Sequence, residues 1–121
     1  MKTADMVSAS LSDLLMAYRA AAISYGEAIG NGRHRVANRS HDLAQEIHNE
    51  IVTRGGDAEK RVHALLTDAE PAVRLLVASH IVHSAPSTAL ETLEALAAGP
   101  PAPIQLMASI ALSEARRRGR S

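Results

Sequence analysis

An all-α fold is what this 121-residue sequence predicts, on three observations. Apolar side chains recur at three- and four-residue spacings along most of the chain, the signature of helices that bury one stripe. Strand-like alternation is hard to find: aromatic residues make up 2%, with no Phe or Trp, and alanine, the best helix former, is the commonest residue. Breaks containing glycine or proline then divide the chain into six helices, the first two joined as a hairpin.

The first helix is read from LSDLLMAYRAAAISYGEAI, where Leu11, Leu14, Leu15, Tyr18, Ala21, Ala22, Tyr25 and Ile29 form one stripe. GNG at 30–32 tolerates positive φ and turns the chain back. The second helix spans 33–54, with Val36, Ser40, Leu43, Ala44, Ile47 and Ile51 in one arc. RGGD stops it at Gly55, and Asp57 is the expected N-cap of a short third helix over 58–67 that buries Val62, Leu65 and Leu66. A fourth helix has Pro71 in its first turn, where the missing amide hydrogen costs nothing. It is apolar nearly all round and is placed at the centre. HSAPS interrupts the chain, Thr88 and Glu91 have capping-box spacing for a fifth helix, and Pro103 opens a sixth that buries Ile104, Met107, Ala108 and Ala111. Residues 1–10 are an N-terminal segment expected to fray, 11–118 the single domain, and 119–121 the end of a basic tail.

LLTDAEPAVRLLVA, residues 65–78, resembles a HEAT-repeat unit in Leu65, Leu66, Asp68, Val73 and Arg74. That resemblance implies structural roles for two of them, Asp68 capping the second helix of the pair and Arg74 reaching a nearby carbonyl or carboxylate. With ANRSHDL, TRGGD and APSTALETL added, the stretch from Leu14 to Gly119 is similar to the small bacterial proteins of domain of unknown function family 2019. The resemblance implies a compact six-helix, HEAT-like domain, a short stack of helical hairpins of the α-solenoid type, and brings no established activity or ligand. Since one helical pair cannot bury both faces of its core, the flanking helices must act as caps.

Composition narrows the function classes. Thirteen basic and thirteen acidic side chains cancel, so no global field draws the protein to nucleic acid or an anionic membrane. No apolar run approaches the length of a membrane span. The absence of cysteine removes disulfides and thiolate metal sites and fits a reducing cytoplasm. RGGD lacks the lysine and spacing of a phosphate-binding loop.

The most suggestive pattern is the heptad of His34, His41 and His48, aligned with Asn38 and Gln45 on the face of the second helix opposite Leu43 and Ile47. Residues seven apart rise about 10.5 Å, too far for two imidazoles to share one zinc. The stripe is read as a solvated face that can recognise a polar partner. Met16 and Ile23, off the core stripe of the first helix, suggest an apolar strip for a partner or a homodimer. His80 and His83 have chelating spacing without a third ligand, and His80 is read as a hydrogen-bonded core histidine. His63 is read as a surface or satisfied residue. Asp42 and Glu46 are expected to pair with Arg35 and Arg39, and no nucleophile-base pair is visible. No metal or cofactor is implied.

The expected function is a non-enzymatic cytoplasmic module that binds another protein, with neutralisation of a toxin as one specific form. The alternative is a small nucleic-acid-binding domain using Arg33, Arg35 and Arg39 with the tail arginines Arg116, Arg117 and Arg118. It is disfavoured because the only aromatic residues, Tyr18 and Tyr25, lie on a core stripe and are not free to stack on bases.

Overall fold

The computed structural model describes residues 2–119, and Arg120 at the tail lies outside them. Every regular element among the described residues is helical: α1 (Thr3–Ser8), α2 (Leu11–Gly30), α3 (His34–Thr53), α4 (Gly56–His63) with a following 3₁₀ turn (Ala64–Thr67), α5 (Pro71–Ile81), α6 (Pro86–Ala97) and α7 (Pro103–Gly119). The six expected helices correspond to α2–α7. The seventh, α1, lies in the segment expected to fray. It buries Met6, and Arg54 at the end of α3 holds its last turn by donating to the carbonyls of Met6, Val7 and Ala9 at 2.8, 3.3 and 2.7 Å.

Local chemistry explains most boundaries, with three corrections. The Ser10 side chain accepts from Asp13 N at 3.1 Å and caps α2. Gly32 at φ 70° makes the turn into α3, and Gly55 at φ 104° makes the turn out of it. Asp57 is not the cap of α4: Gly55 occupies that position, which leaves Asp57 in the first turn, where a carboxylate still complements the helix dipole. Thr88 is not the cap of α6, because Pro86 starts that helix and Thr88 Oγ1 donates back to Ala85 O at 3.3 Å from inside it. Nor does Asp68 cap α5. Its carboxylate accepts from Glu70 N at 2.9 Å, one residue short of the helix, since Pro71 at the first helical position has no N–H to offer.

α2 and α3 form an N-terminal hairpin, and α6 and α7 form a C-terminal one. Between them runs α5, packed against α2, α3, α4, α6 and α7. It buries Ala72, Val73, Leu75, Leu76, Val77, Ala78 and Ile81, as its all-round apolar sequence requires. In the absence of Phe and Trp, Tyr18 is the largest fully buried side chain of the core. The N-terminal hairpin meets α5 closely: a Cβ placed on Gly26 would lie 2.5 Å from Ala72 Cβ, so only glycine permits that crossing. Beside it, Arg19 on α2 pairs with Asp68, Nε to Oδ2 at 2.8 Å and Nη2 to Oδ1 at 3.2 Å. Arg74 Nη1 donates to the carbonyls of Asp68 and Ala69 at 2.6 and 3.2 Å, the role the HEAT-like resemblance implied.

Candidate functional site

Four histidines and two tyrosines collect where the N-terminal hairpin meets α4 and α5. On α3, the residues Ala37, Ser40, Ala44, Ile47, His48 and Ile51 are buried. The buried arc is therefore turned from the expected one, and it carries His48 inward at 7% exposure. This corrects the reading of a continuous solvated stripe. His34 and Asn38 are exposed, His41 and Gln45 are half-buried, and His48 lies in the core. A signal for this was present: Ala37, His41, Ala44, His48 and Ile51 repeat at four and three residues, so both imidazoles share a stripe with small and apolar side chains.

From α5, His80 enters the same place. Its ring centroid lies 5.0 Å from that of His48 in a stacked arrangement, 6.2 Å from that of His41 and 5.7 Å from that of Tyr18. Tyr18 Oη and His80 Nδ1 are 2.7 Å apart. Which of the two atoms donates depends on the tautomer of the imidazole. Tyr25 packs against His41 with ring centroids 5.6 Å apart. His63 on α4 is half-buried, and its Nε2 stands 3.7 Å from Glu59 Oε1, beyond hydrogen-bond reach. That corrects its reading as a surface or satisfied residue.

Among the described residues, the buried side-chain nitrogens and oxygens lacking a hydrogen-bond partner are Nε2 of His48, His63 and His80. All three are imidazole atoms. Burial lowers the pKa of His48, with Glu59 opposing that shift and His63 adding to it. His80 is pushed down to about 3, first by burial and then by His48 and His41. Burial also holds the Tyr18 and Tyr25 hydroxyls above the usual range. His48, His80 and the two tyrosines are thus neutral at pH 7. The cluster has no three-ligand arrangement for a metal ion among the described residues. Nor does it contain a nucleophile-base pair: Ser79 Oγ donates to Leu75 O at 2.8 Å, and Nδ1 of His80 is engaged by Tyr18.

The outer end of the cluster opens into a cleft of about 210 Å³ lined by Tyr25, His41, Leu75, Leu76, Ser79, Met107, Ile110, Ala111 and Glu114. Its walls are apolar, with His41, Tyr25 and Glu114 as polar groups at the rim. On α7 beside it, Leu106 and Ile110 stand one turn apart at 57% and 44% exposure. Neither of these two was singled out by sequence, because a helix with an apolar core stripe gives no sign of which extra apolar residues stay in water.

The remaining expected site residues do not assemble. Met16 is 71% exposed, but Ile23 is half-buried against the core, so the expected apolar strip on α2 is broken. Arg33, Arg35 and Arg39 are exposed on or just before α3, while Arg116 reaches Glu94 on α6 at 3.3 Å. Arg117 and Arg118 are exposed. Asp42 and Glu46 do not pair with Arg35 and Arg39; the side chain that approaches Asp42 is the His41 imidazole, Nδ1 to Oδ1 at 3.9 Å. His83 is exposed and apart from His80's partners. Comparison with family models, curated proteins and solved structures finds no match for the chain. Among the described residues, no helix is long and apolar enough to cross a membrane.

Proposed function

We propose that the protein is a non-enzymatic, HEAT-like interaction module that binds another protein through the outer face of α7 and the adjoining cleft. The observation that carries this reading is the pairing of exposed Leu106 and Ile110 with a cleft bordered by His41 and Glu114. Small-molecule pockets usually run from about 300 to 1,000 Å³, and this cleft is smaller, nearer the volume of one large apolar side chain. Exposed apolar groups beside such a recess are the pattern of a partner contact with one anchor residue. The rim carboxylate of Glu114 suits an anchor flanked by a basic residue. Covering a toxin's active site is one form such binding takes, and membership of domain of unknown function family 2019 and a cytoplasmic location belong to the same proposal.

Nucleic acid is the weaker partner. Arg35 and Arg39 lack ion-pair partners, yet the same exposed stripe continues into Asp42 and Glu46, whose carboxylates repel phosphate. The test is affinity capture with wild type, a Leu106→Ser/Ile110→Ser variant and an Arg35→Ala/Arg39→Ala variant, followed by calorimetry with the purified captured protein. All four positions are exposed, so folding is kept. Binding lost in the α7 variant and kept in the arginine variant is the expected outcome. Binding insensitive to the α7 changes, or salt-labile retention on duplex DNA lost with the arginines, overturns the reading. His48→Ala is unsuitable here because it reports on the core.

A further inference from the structure

The contacts between the N-terminal hairpin and the rest of the protein have an unusual composition. Tyr18 from α2 and His41 and His48 from α3 all meet His80 on α5, and His63 on α4 stands near His48. Apart from these rings, the seam holds the Gly26–Ala72 crossing, the Arg19–Asp68 pair and apolar side chains of the shared core such as Leu14, Ile47, Val73 and Leu76. A buried polar atom without a partner is destabilising, and the three such atoms found among the described residues all lie in this cluster. Their placement along one boundary is what a purely structural core would avoid.

From this geometry we infer that the seam is a proton-released latch: protonation of the stacked His48–His80 pair undocks the α1–α3 segment from α5 while the α6–α7 hairpin stays folded. Two imidazolium rings stacked at 5.0 Å repel. The charge finds little compensation among the groups that face it. From α2 these are Tyr18 and Tyr25, both neutral. From α3 they are His41 and, toward α1, Glu50, which is already paired with Arg54 at 3.2 Å. α4 brings Glu59 and His63, and α7 brings Glu114 at the cleft edge beside His41. No charged side chain of α6 acts on His48 or His80. Glu59 is the one carboxylate acting on His48, and His63 acts on it in the opposite sense. His80 has neighbours of its own sign only.

When protonated, His80 carries an N–H on both nitrogens, so the Tyr18 hydroxyl can only accept across their 2.7 Å contact. That bond is kept, but the buried hydroxyl hydrogen and the Nε2–H are then both without an acceptor, so the proton adds an unsatisfied donor to the seam. Undocking returns both imidazoles to water, where each holds its proton near the ordinary histidine range.

Hydrogen exchange of the full chain at pH 7.5, 6.0 and 5.0, corrected for intrinsic rates, tests the latch, with His48→Phe and His80→Gln variants alongside. In wild type, amides of α3 and of the later turns of α5, toward His80, are expected below pH 6.5 to lose protection by about tenfold per pH unit for each proton taken up, and those of α6–α7 to lose much less. His48→Phe keeps a ring in the stack without a titrating group and is expected to remove about half of that dependence. Equal loss in the two hairpins, or protection unchanged between pH 7.5 and 5.0, overturns the inference. Both outcomes are read in wild type, so they stand even where a variant does not fold. Neither depends on the proposed partner face, whose capture experiment is done at neutral pH.

Discussion

Tyr18 is fully buried, and its hydroxyl makes one hydrogen bond, to His80 Nδ1 at 2.7 Å. Removing it leaves the imidazole with neither nitrogen satisfied while the ring packing is kept. Tyr18→Phe is accordingly expected to lower the unfolding free energy by about 1–3 kcal/mol at pH 7.5, read by urea denaturation, with unchanged helix content. A stability equal to wild type would mean that the bond is offset by the cost of burying the hydroxyl. Asp68 works differently. Its carboxylate takes two bonds from Arg19 and one from Glu70 N, and these hold its pKa below the usual carboxylate range, the Arg19 hydrogen bond contributing most. Its contribution is present above the unfolded-state pKa of about 4 and is lost as pH falls through the folded value. With the Arg19 side chain 44% exposed, screening reduces the pair's worth. Asp68→Ala is expected to cost about 1–2 kcal/mol at pH 7, and the difference from wild type to shrink on acidification to pH 3.

At the scale of elements, α1 has the least to hold it. It is six residues long, has no side-chain cap, and buries Met6 against the end of α3. Isolated helices of that length do not persist in water, so the three carbonyls gripped by Arg54 matter more than the helix itself. Arg54→Ala is expected to raise exchange at the amides of residues 5–9 by tenfold or more while leaving α5 and α7 protected; retained protection at 5–9 would place the anchor in Met6 alone. Sequence reading passed over α1 because its stabiliser is an arginine 45 or more positions away. The longer helices were legible because each has a periodic stripe and a glycine or proline at its ends, as in α2 and α5. The caps of α4 and α6 were misplaced for a shared reason: a glycine or proline already set the backbone there, so Asp57 and Thr88 fell inside the helix. His48 was misread for another reason. A polar residue is assigned to water by default, and only the small side chains Ala37 and Ala44 on its stripe showed that this face turns inward. The meeting of His48 with His80 depends on the packing of α3 on α5, which no local pattern contains.

Across the whole molecule, the buried histidines set how stability depends on pH. The unfolded chain protonates each imidazole near pH 6.5, whereas the folded protein keeps His80 neutral down to about 3 and His48 neutral below its ordinary range. Unfolding therefore takes up protons on acidification, and stability rises with pH wherever the unfolded state binds more of them. Their contribution is complete above pH 6.5 and falls as pH drops below it. Between pH 7.5 and 5.0, His80 alone removes about 2 kcal/mol, and His48 adds to the loss. Such a drop is a large share of the roughly 5–15 kcal/mol that a domain commonly has. Below pH 4 carboxylates such as Asp68 join them, so the interval from 6.5 to 4.5 isolates the histidines. Urea unfolding at pH 7.5, 6.5, 5.5 and 4.5 is expected to give a midpoint that is flat over the first step and falls through the next two. His80→Gln lowers the starting value but flattens the later slope. A midpoint that holds constant to pH 4.5 in wild type would show that the seam accepts the protons without opening, and the neutral, unpartnered imidazoles would then lose their link to stability.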